Sequence, residues 1–276
     1  MSRLLHVAVL QPELTLADES RSLDRVADHL GQLVRAAPLD LAVLPEAVDG
    51  QPPALAEHSA ESSRLRLSAL ARATRVALVA GSVGWLDPPA RRRNVAFCFD
   101  AAGCEVGRYA KRVPFGREQG KIVPGTEPGL FELCGLRVGV LICSDLWRPE
   151  LARACLHRAD LLCVPARSGV GAETHVPYAR ELWRARALTR AIENAMPVLV
   201  ADWPAARHDF RGASHWTAGG SSLVNPAARP DVARLQQTLP DGRPGALRAA
   251  IDLDAVAEFA RYRESVGLLP KFDSGG

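Results

Sequence analysis

Three residues that could carry out acyl transfer each follow an apolar stretch of the chain. Glu46 closes LDLAVLPEA, Lys111 follows RYA and opens a Gly- and Pro-rich segment, and Cys143 closes LRVGVLIC. They supply a general base, a cation and a soft nucleophile, the groups that acyl transfer through a thioester needs. Taken singly, each has a plainer interpretation as a solvated glutamate, an exposed lysine or a buried structural cysteine. The combination therefore indicates an active site more strongly than any one residue does.

The sequence around Cys143 predicts a sharp change from a strand into a helix whose first turn lies near Pro149 and Glu150. A helix start carries partial positive charge and unpaired N–H groups, which favour a thiolate and can hold an oxyanion. We therefore expect a reactive thiol with a low pKa at this position.

Apolar strands alternate with amphipathic helices nearly throughout the chain, which predicts an α/β fold. Runs such as VALVA and VGVLI are apolar at consecutive positions, which indicates burial on both faces of the strand. Without an internal repeat or low-complexity linker, we expect a single domain over residues 1–276, with 268–276 an extended tail that packs on a neighbouring subunit. The predicted strands are 5–11, 39–45, 76–85, 94–99, 104–109, 136–143, 160–165, 197–201, 220–224 and 246–253, and the predicted helices lie within 23–34, 59–75, 148–157 and 178–194.

The composition excludes several classes of protein. With 47% hydrophobic and 24% charged residues, the chain is an ordinary globular sequence rather than a disordered or fibrous one. Its net charge of +3 and the single dense basic run, 91–93, give no support for a nucleic-acid partner. No apolar stretch reaches the roughly 18 to 20 residues of a membrane span, and the first ten residues lack the features of a signal peptide. We therefore expect a cytoplasmic protein without a membrane or nucleic-acid partner.

The cysteines and histidines do not form a recognisable metal site. None of the six cysteines stands in a CxxC pair, and several lie inside apolar runs, which indicates reduced thiols. A zinc site built from Cys155, His157 and Cys163 would match no common ligand spacing. We therefore predict no metal and no cofactor. A Cys–His protease remains a distant alternative, with four candidate bases at His157, His175, His208 and His215.

With these motifs the sequence resembles the nitrilase superfamily of carbon-nitrogen hydrolases. That family has a glutamate after a strand ending in PE, a lysine before a Pro/Gly-rich segment and a cysteine in a stretch like GxxICxDxxxPE, and all three occur here in that order. Further matches are Glu118, seven residues after Lys111, and Pro124-Gly125. LWRARALTRAIENAMPVLV and GGSSLVNP are similar to later motifs of the family, so the resemblance covers residues 5 to about 260.

The resemblance implies a fold and a mechanism. The fold would be an α-β-β-α sandwich, two sheets facing each other between helical layers, commonly paired into a homodimer or a higher homo-oligomer. Glu46 would take the proton from Cys143, which would attack the carbon of a C–N group and form a thioester. Lys111 and the backbone N–H of Ser144 would stabilise the oxyanion, and Glu118 would orient substrate or water.

The neighbourhood of the cysteine narrows the reaction only partly. Ser144-Asp145 is similar to the amidase and carbamoylase branches, and Trp147 is similar to N-carbamoyl amine hydrolases. Our hypothesis is hydrolysis of a small linear amide or N-carbamoyl compound with release of ammonia. A nitrilase, an amine acyltransferase using the same triad and a non-catalytic interaction protein remain alternatives.

Four residues are candidate contacts for the substrate. Besides Ser144, Trp147 could line the pocket or pack on the helix above it. Arg148 and Arg167 could bind a substrate carboxylate, and either could equally be a surface ion-pair partner.

Overall fold

The computed structural model describes residues 3–270 of the chain, and strands alternate with helices along it. The strands are β1 (Leu4–Gln11), β2 (Leu41–Val43), β3 (Ala77–Asp87), β4 (Arg91–Phe99), β5 (Glu105–Ala110), β6 (Leu130–Leu133), β7 (Leu136–Val140), β8 (Leu161–Pro165), β9 (Gly169–Val170), β10 (Val198–Ala201), β11 (Ala206–Phe210), β12 (Ala213–Thr217), β13 (Ser222–Val224), β14 (Gln236–Thr238) and β15 (Gly245–Asp252). The helices are α1 (Glu19–Ala36), α2 (Glu61–Thr74), α3 (Pro149–Arg153), α4 (Val176–Asn194), α5 (Val232–Leu235) and α6 (Leu253–Ser265).

Two six-stranded sheets carry the fold. Their strand orders are β15-β1-β2-β3-β4-β5 and β14-β13-β10-β8-β7-β6. In each sheet the three central strands are parallel, β1-β2-β3 in one and β7-β8-β10 in the other, and the outer strands are antiparallel. Because parallel strands end at a common edge, the residues that follow β2, β7 and β8 are brought to one region, the usual location of a binding site in α/β proteins.

Alternation along the strands explains why the sequence is apolar at consecutive positions. In β1, Val7 and Val9 belong to the buried cluster that includes Val138 and Val140 of β7 in the other sheet. Their neighbours on the opposite face of β1 instead join the cluster that contains Leu23 and other residues of α1 and α2. On the far side, α4 packs on β10 and β13. Each sheet is thus covered on both faces, and the α-β-β-α sandwich is confirmed.

The structure differs from the predicted elements mainly around residues 141–157 and 206–265. The strand expected to reach Cys143 ends at Val140, because the chain turns there into a 3-10 helix, Cys143–Trp147. The helix expected over 148–157 is only α3. Helix α6 was not predicted; only the strand before it was. Asp252 caps this helix by accepting hydrogen bonds from the N–H groups of Asp254 and Ala255.

A small third sheet, β11-β12-β9, was also missed. Its strands ARHDF and ASHWT have few apolar residues, because the sheet lies outside the two main sheets. The local signal was the turn between them. Arg211 and Gly212 both have positive φ, 51° and 76°, as a two-residue hairpin turn of type I′ requires.

Within residues 3–270, no helix is long and apolar enough to cross a membrane, and no group of three or more metal-ligating side chains is present. Of the predicted tail, residues 271–276 lie outside the described part of the chain. Leu269 is buried in a small cluster with Ala195 and Phe259 of the same chain. Packing of the tail on a neighbouring subunit, like the single-domain organisation, stays a prediction.

Candidate active site

Glu46 is held between the two sheets by its own backbone. It follows β2 after Leu44-Pro45, and its N–H donates to the carbonyl of Ala166 beyond β8 at 3.2 Å. Its carbonyl accepts a hydrogen bond from the indole Nε1 of Trp203 at 2.6 Å. These two hydrogen bonds to the opposite sheet fix the backbone position from which the side chain extends. The residue is buried, with 5% of its surface exposed.

Lys111 brings a cation to the same place. It follows β5, is 2% exposed, and its Nζ lies 2.7 Å from Oε1 of Glu46 and 2.7 Å from Oε2 of Glu118. The Gly- and Pro-rich segment closes over this strand because Gly125 donates its N–H to the Lys111 carbonyl at 2.9 Å. A Cβ at Gly125 would stand 2.2 Å from the carbonyl oxygen of Ala110, so only glycine permits this approach.

Asn94 connects the two carboxylates and was not identified from the sequence. Its Nδ2 donates to Oε1 of Glu46 and to Oε1 of Glu118, both at 2.8 Å. The amide must point this way, since its oxygen would otherwise face two carboxylate oxygens. Nothing local marks this residue, which stands near the start of an ordinary apolar strand. Its Oδ1 is buried and has no hydrogen-bond partner among residues 3–270.

Cys143 begins the 3-10 helix with a left-handed backbone, φ 51°, and is 5% exposed. Its Sγ lies 3.7 Å from the carbonyl oxygen of Arg167, beyond the end of the neighbouring strand β8. A positive φ at a residue with a Cβ is uncommon, and it is maintained only where the surroundings hold it.

Asp145 helps to stabilise this backbone conformation of Cys143. Its fully buried carboxylate accepts hydrogen bonds from the N–H of Ile142 at 3.1 Å, from the N–H of Val113 at 2.7 Å and from the hydroxyl of Tyr109 at 2.8 Å. It therefore ties the cysteine turn to the segment after Lys111. These contacts make Asp145 a brace of the cysteine turn.

The expectation of a low pKa at Cys143 is wrong. Burial raises the pKa of this thiol well above its ordinary value, the negative charge of Glu46 raises it further, and Lys111 opposes the increase. For Lys111, burial disfavours the ammonium, but the charges of Glu46, Cys143 and Glu118 raise its pKa above its ordinary value. The resting site therefore holds a protonated thiol beside an ammonium and two carboxylates.

Two of the predicted substrate contacts lie beside the cysteine. Ser144 is buried, donates its hydroxyl to the carbonyl of Val113 at 2.5 Å, and has its N–H in the first turn of a helix, where N–H groups lack intrahelical partners. Trp147 is 38% exposed and packs edge-on against Trp183 with ring centroids 5.9 Å apart, while Arg186 lies over its ring. These contacts match its plainer interpretation as a packing residue.

The two arginines are placed very differently. The side chain of Arg148 is 60% exposed and lies 3.9 Å from Glu150, so the structure does not bring it to the cluster. Arg167 is at the site, with its carbonyl against the Cys143 sulfur and its guanidinium over the ring of Trp203.

The four histidines of the protease alternative have other contacts. His215 lies 2.6 Å from Nη2 of Arg167, and His208 lies 2.9 Å from the hydroxyl of Thr217. His157 contacts the carbonyl of Pro270, and His175 is exposed on the surface. Each of these histidines has a contact or location away from Cys143, whereas the side chain of Glu46 hydrogen-bonds the Cys143 thiol.

Comparison with known proteins identifies the family. A family model described as carbon-nitrogen hydrolase matches residues 6–261. The chain is 30% identical to the 2-oxoglutaramate amidase of Bacillus subtilis over 224 residues, which cover 79% of this chain and 76% of that protein.

Solved structures extend the likeness to the whole fold. Nit3 of Saccharomyces cerevisiae, a member of branch 10 of the nitrilase superfamily, superimposes with a TM-score of 0.79 at 22% identity, covering 98% of this chain and 97% of that one. A mutant of the amidase from Nesterenkonia sp. AN1, in which acrylamide has added to the active-site cysteine, has a TM-score of 0.71 at 25% identity, with 94% and 99% coverage.

Proposed function

The chain belongs to the carbon-nitrogen hydrolase family of the nitrilase superfamily, and we propose that it hydrolyses a small linear amide or N-carbamoyl compound with release of ammonia. The observation that carries this proposal is the burial of Glu46, Lys111 and Cys143 in one cluster, although they come from distant parts of the sequence. An interaction protein would have no reason to bury an ammonium between two carboxylates, which is costly unless the arrangement has a use.

The first step is removal of the thiol proton. Since burial keeps Cys143 protonated, Glu46 accepts the proton as sulfur attacks the carbonyl carbon of the substrate. The C–S bond forms, the C=O electron pair moves to oxygen, and the proton resides on Glu46. Asn94 and the backbone ties of Glu46 keep its carboxylate directed at the cluster during this transfer.

The oxyanion that develops needs a donor that does not have to reorganise. Lys111 is charged and held by two carboxylates. The second donor is the N–H of Ser144, in the first turn of the helix that begins with Cys143. A fixed cation and an oriented dipole in a buried site stabilise developing negative charge more strongly than water would. When the C–N bond breaks, Glu46 returns its proton to nitrogen and ammonia leaves.

The second half of the reaction repeats this chemistry with water. Glu46 takes a proton from a water molecule that attacks the thioester carbon, and the collapse of the second tetrahedral species returns the proton to sulfur. Glu118, hydrogen-bonded to Asn94 and paired with Lys111, lies where it can orient that water or the substrate amide. For an N-carbamoyl substrate the released carbamate decomposes to carbon dioxide and an amine.

The relatives support this reaction class. The Bacillus subtilis relative is an amidase, and the Nesterenkonia protein is an amidase whose active-site cysteine takes up covalent adducts, by Michael addition in the case of acrylamide. Ser144-Asp145 after the cysteine is the sequence feature that favours amides and carbamoyl compounds over nitriles.

The proposal is tested with a panel of amides, ureido acids and nitriles, read out by ammonia release. We expect turnover of at least one amide or ureido acid, and mass spectrometry of the quenched enzyme should show an acyl adduct on the peptide that contains Cys143. Cys104→Ser is the matched control, because that thiol is exposed and distant from the cluster in sequence. Full activity of Cys143→Ala on any substrate of the panel would disprove the mechanism.

A further inference from the structure

Arg167 combines two features that the proposed reaction does not use. It stands just beyond β8 with its backbone against the Cys143 sulfur, at 3.7 Å, so its side chain starts beside the nucleophile. The residue is half-buried and its Nε is buried, and the guanidinium stacks on the ring of Trp203, with the guanidinium carbon 4.5 Å from the ring centroid. A cation in such a position is stabilised by the ring and shielded from water.

This guanidinium has no carboxylate partner. Within residues 3–270, no Asp or Glu oxygen lies within 4.0 Å of its nitrogens, and its buried Nε donates to no acceptor. Buried Asp202 acts on Arg167 only through its charge at longer range, since its oxygens accept the N–H groups of Ser168 and Trp203, each at 2.8 Å, and that of Gly220 at 2.7 Å. Buried charges in native proteins are normally paired, so a guanidinium with a buried Nε and no paired anion points to an absent anionic ligand.

His215 orients the guanidinium without neutralising it. Nη2 of Arg167 is always a donor, so Nε2 of His215 at 2.6 Å must accept, which requires a neutral ring. Burial and the charges of Arg167 and Arg117 lower the pKa of His215, in agreement with a neutral acceptor. Burial lowers the pKa of Arg167, and the negative charges of Glu46 and Asp202 oppose that decrease.

We propose that Arg167, oriented by His215, binds a carboxylate of the substrate, which is therefore a monoamide of a small dicarboxylic acid or an N-carbamoyl derivative of a small amino acid. This inference rests on the proposed function, because it assigns the part of the substrate that does not react. A guanidinium binds a carboxylate with paired N–H donors and fixes its direction. It would also offset the repulsion between an anionic substrate and the carboxylates of Glu46 and Glu118.

The decisive comparison uses two amides of equal length. Glutaramate ends in a carboxylate, whereas pentanamide has a methyl group there. For the parent enzyme we expect kcat/KM to be about 10- to 100-fold higher for glutaramate, the range for a hydrogen bond to a charged group, with the difference mainly in KM. Succinamate and adipamate, one carbon shorter and one carbon longer, determine the spacing. Arg167→Met should reduce the glutaramate-to-pentanamide ratio to about 1, Arg167→Lys should retain part of it, and the exposed Arg153→Met should leave it as in the parent.

Equal kcat/KM values for the acid and the neutral amide in the parent enzyme, at every chain length, would overturn the carboxylate site. An equal loss on both amides in Arg167→Met would overturn it as well.

Binding separates this proposal from the proposed function. We expect the Cys143→Ala protein, which cannot turn over substrate, to bind glutarate in a calorimetric titration, and to lose that binding when Arg167→Met is added. If no amide is hydrolysed but glutarate binding depends on Arg167, the proposed function fails and the carboxylate site stands. Absence of glutarate, succinate and adipate binding to the folded Cys143→Ala protein overturns the carboxylate site, and this outcome does not require Arg167→Met to fold.

Discussion

Cys143, just beyond β7, and Cys163, within the adjacent strand β8, are two buried thiols with different surroundings. Cys163 lies within β8, fully buried, and its carbonyl accepts the N–H of Leu141, two residues before Cys143. Burial raises the pKa of both thiols well above the ordinary value. After burial, the groups that act on Cys163 are two other thiols, whereas those that act on Cys143 are the carboxylate of Glu46 and the ammonium of Lys111.

The difference shows that an acidic thiol does not distinguish the proposed nucleophile, Cys143, from a packing cysteine. Both cysteines are protonated at rest, and only one has a base that can take the proton during attack and a cation that can stabilise the product of attack. The proposed reactivity of Cys143 therefore depends on its neighbours Glu46 and Lys111, whereas Cys163 packs inside a strand.

The largest expected difference between the two cysteines is in catalysis. Cys143→Ala should lower kcat by at least about 10⁴-fold, because loss of a nucleophile that acts in concert with its base removes the covalent route. Cys163→Ala should keep kcat within a few-fold of the parent at a temperature where it is folded. Steady-state ammonia release, with circular dichroism to verify folding, provides the measurement. Inactivation of a folded Cys163→Ala protein would contradict the conclusion that Cys163 only packs in the core.

Removal of the cation should affect both rate and stability. Lys111→Met should lower kcat by about 10²- to 10³-fold, as expected for a lost oxyanion donor. It also leaves Glu46 and Glu118 buried without their cation, which costs about 3–5 kcal/mol of unfolding free energy. Adding Glu118→Gln should recover part of the stability but not the rate, as measured by urea denaturation and ammonia release. Recovery of the rate in the double variant would show that Lys111 only neutralises Glu118.

The brace of the cysteine turn should matter less than the reacting groups. Asp145→Asn keeps the shape of the side chain but directs an amide at N–H donors, so it should destabilise the protein by about 1–3 kcal/mol. Because the brace holds Cys143 and not Cys163, kcat should also fall, by about tenfold, with little change in KM. A loss of stability with kcat unchanged would mean that the turn positions its cysteine without Asp145.

The smallest expected effect is on the pH dependence of stability, to which the two cysteines should contribute alike. In the folded protein burial raises the pKa of Cys143 and Cys163, and that of Cys155 to about 11. Above about pH 9 the unfolded chain therefore loses thiol protons that the folded chain retains, and stability falls as pH rises. Cys143→Ala and Cys163→Ala should each reduce this slope by about 1.4 kcal/mol per pH unit between pH 9 and 10.5, as measured by urea denaturation. A slope that only Cys163→Ala changes would show that Cys143 ionises in the folded protein.

Much of this protein could be predicted from its sequence because strand periodicity and strand-end polar residues are local signals. The parallel core strands, α1, α2 and α4 lie close to their predicted positions. Glu46 and Lys111, expected at strand ends, and Glu118, implied by the family resemblance, lie together around the Lys111 ammonium, and their roles stay a prediction. The short strands of the third sheet were missed because they contain few apolar residues. Helix α6 was missed although its capping residue Asp252 and its apolar residues are local signals.

What the sequence by itself determined is the order of strands and helices and the types of the reacting residues, since these depend on side chains and near neighbours along the chain. Only the tertiary structure decided the rest. Asn94 links two carboxylates, and the side chain of Arg148 is exposed. Arg167 has a buried Nε without an acceptor, and the pKa of Cys143 is raised instead of lowered. The physical reason is that burial and the pairing of charges are properties of side chains that meet from distant parts of the chain, and no local pattern encodes which of them will meet.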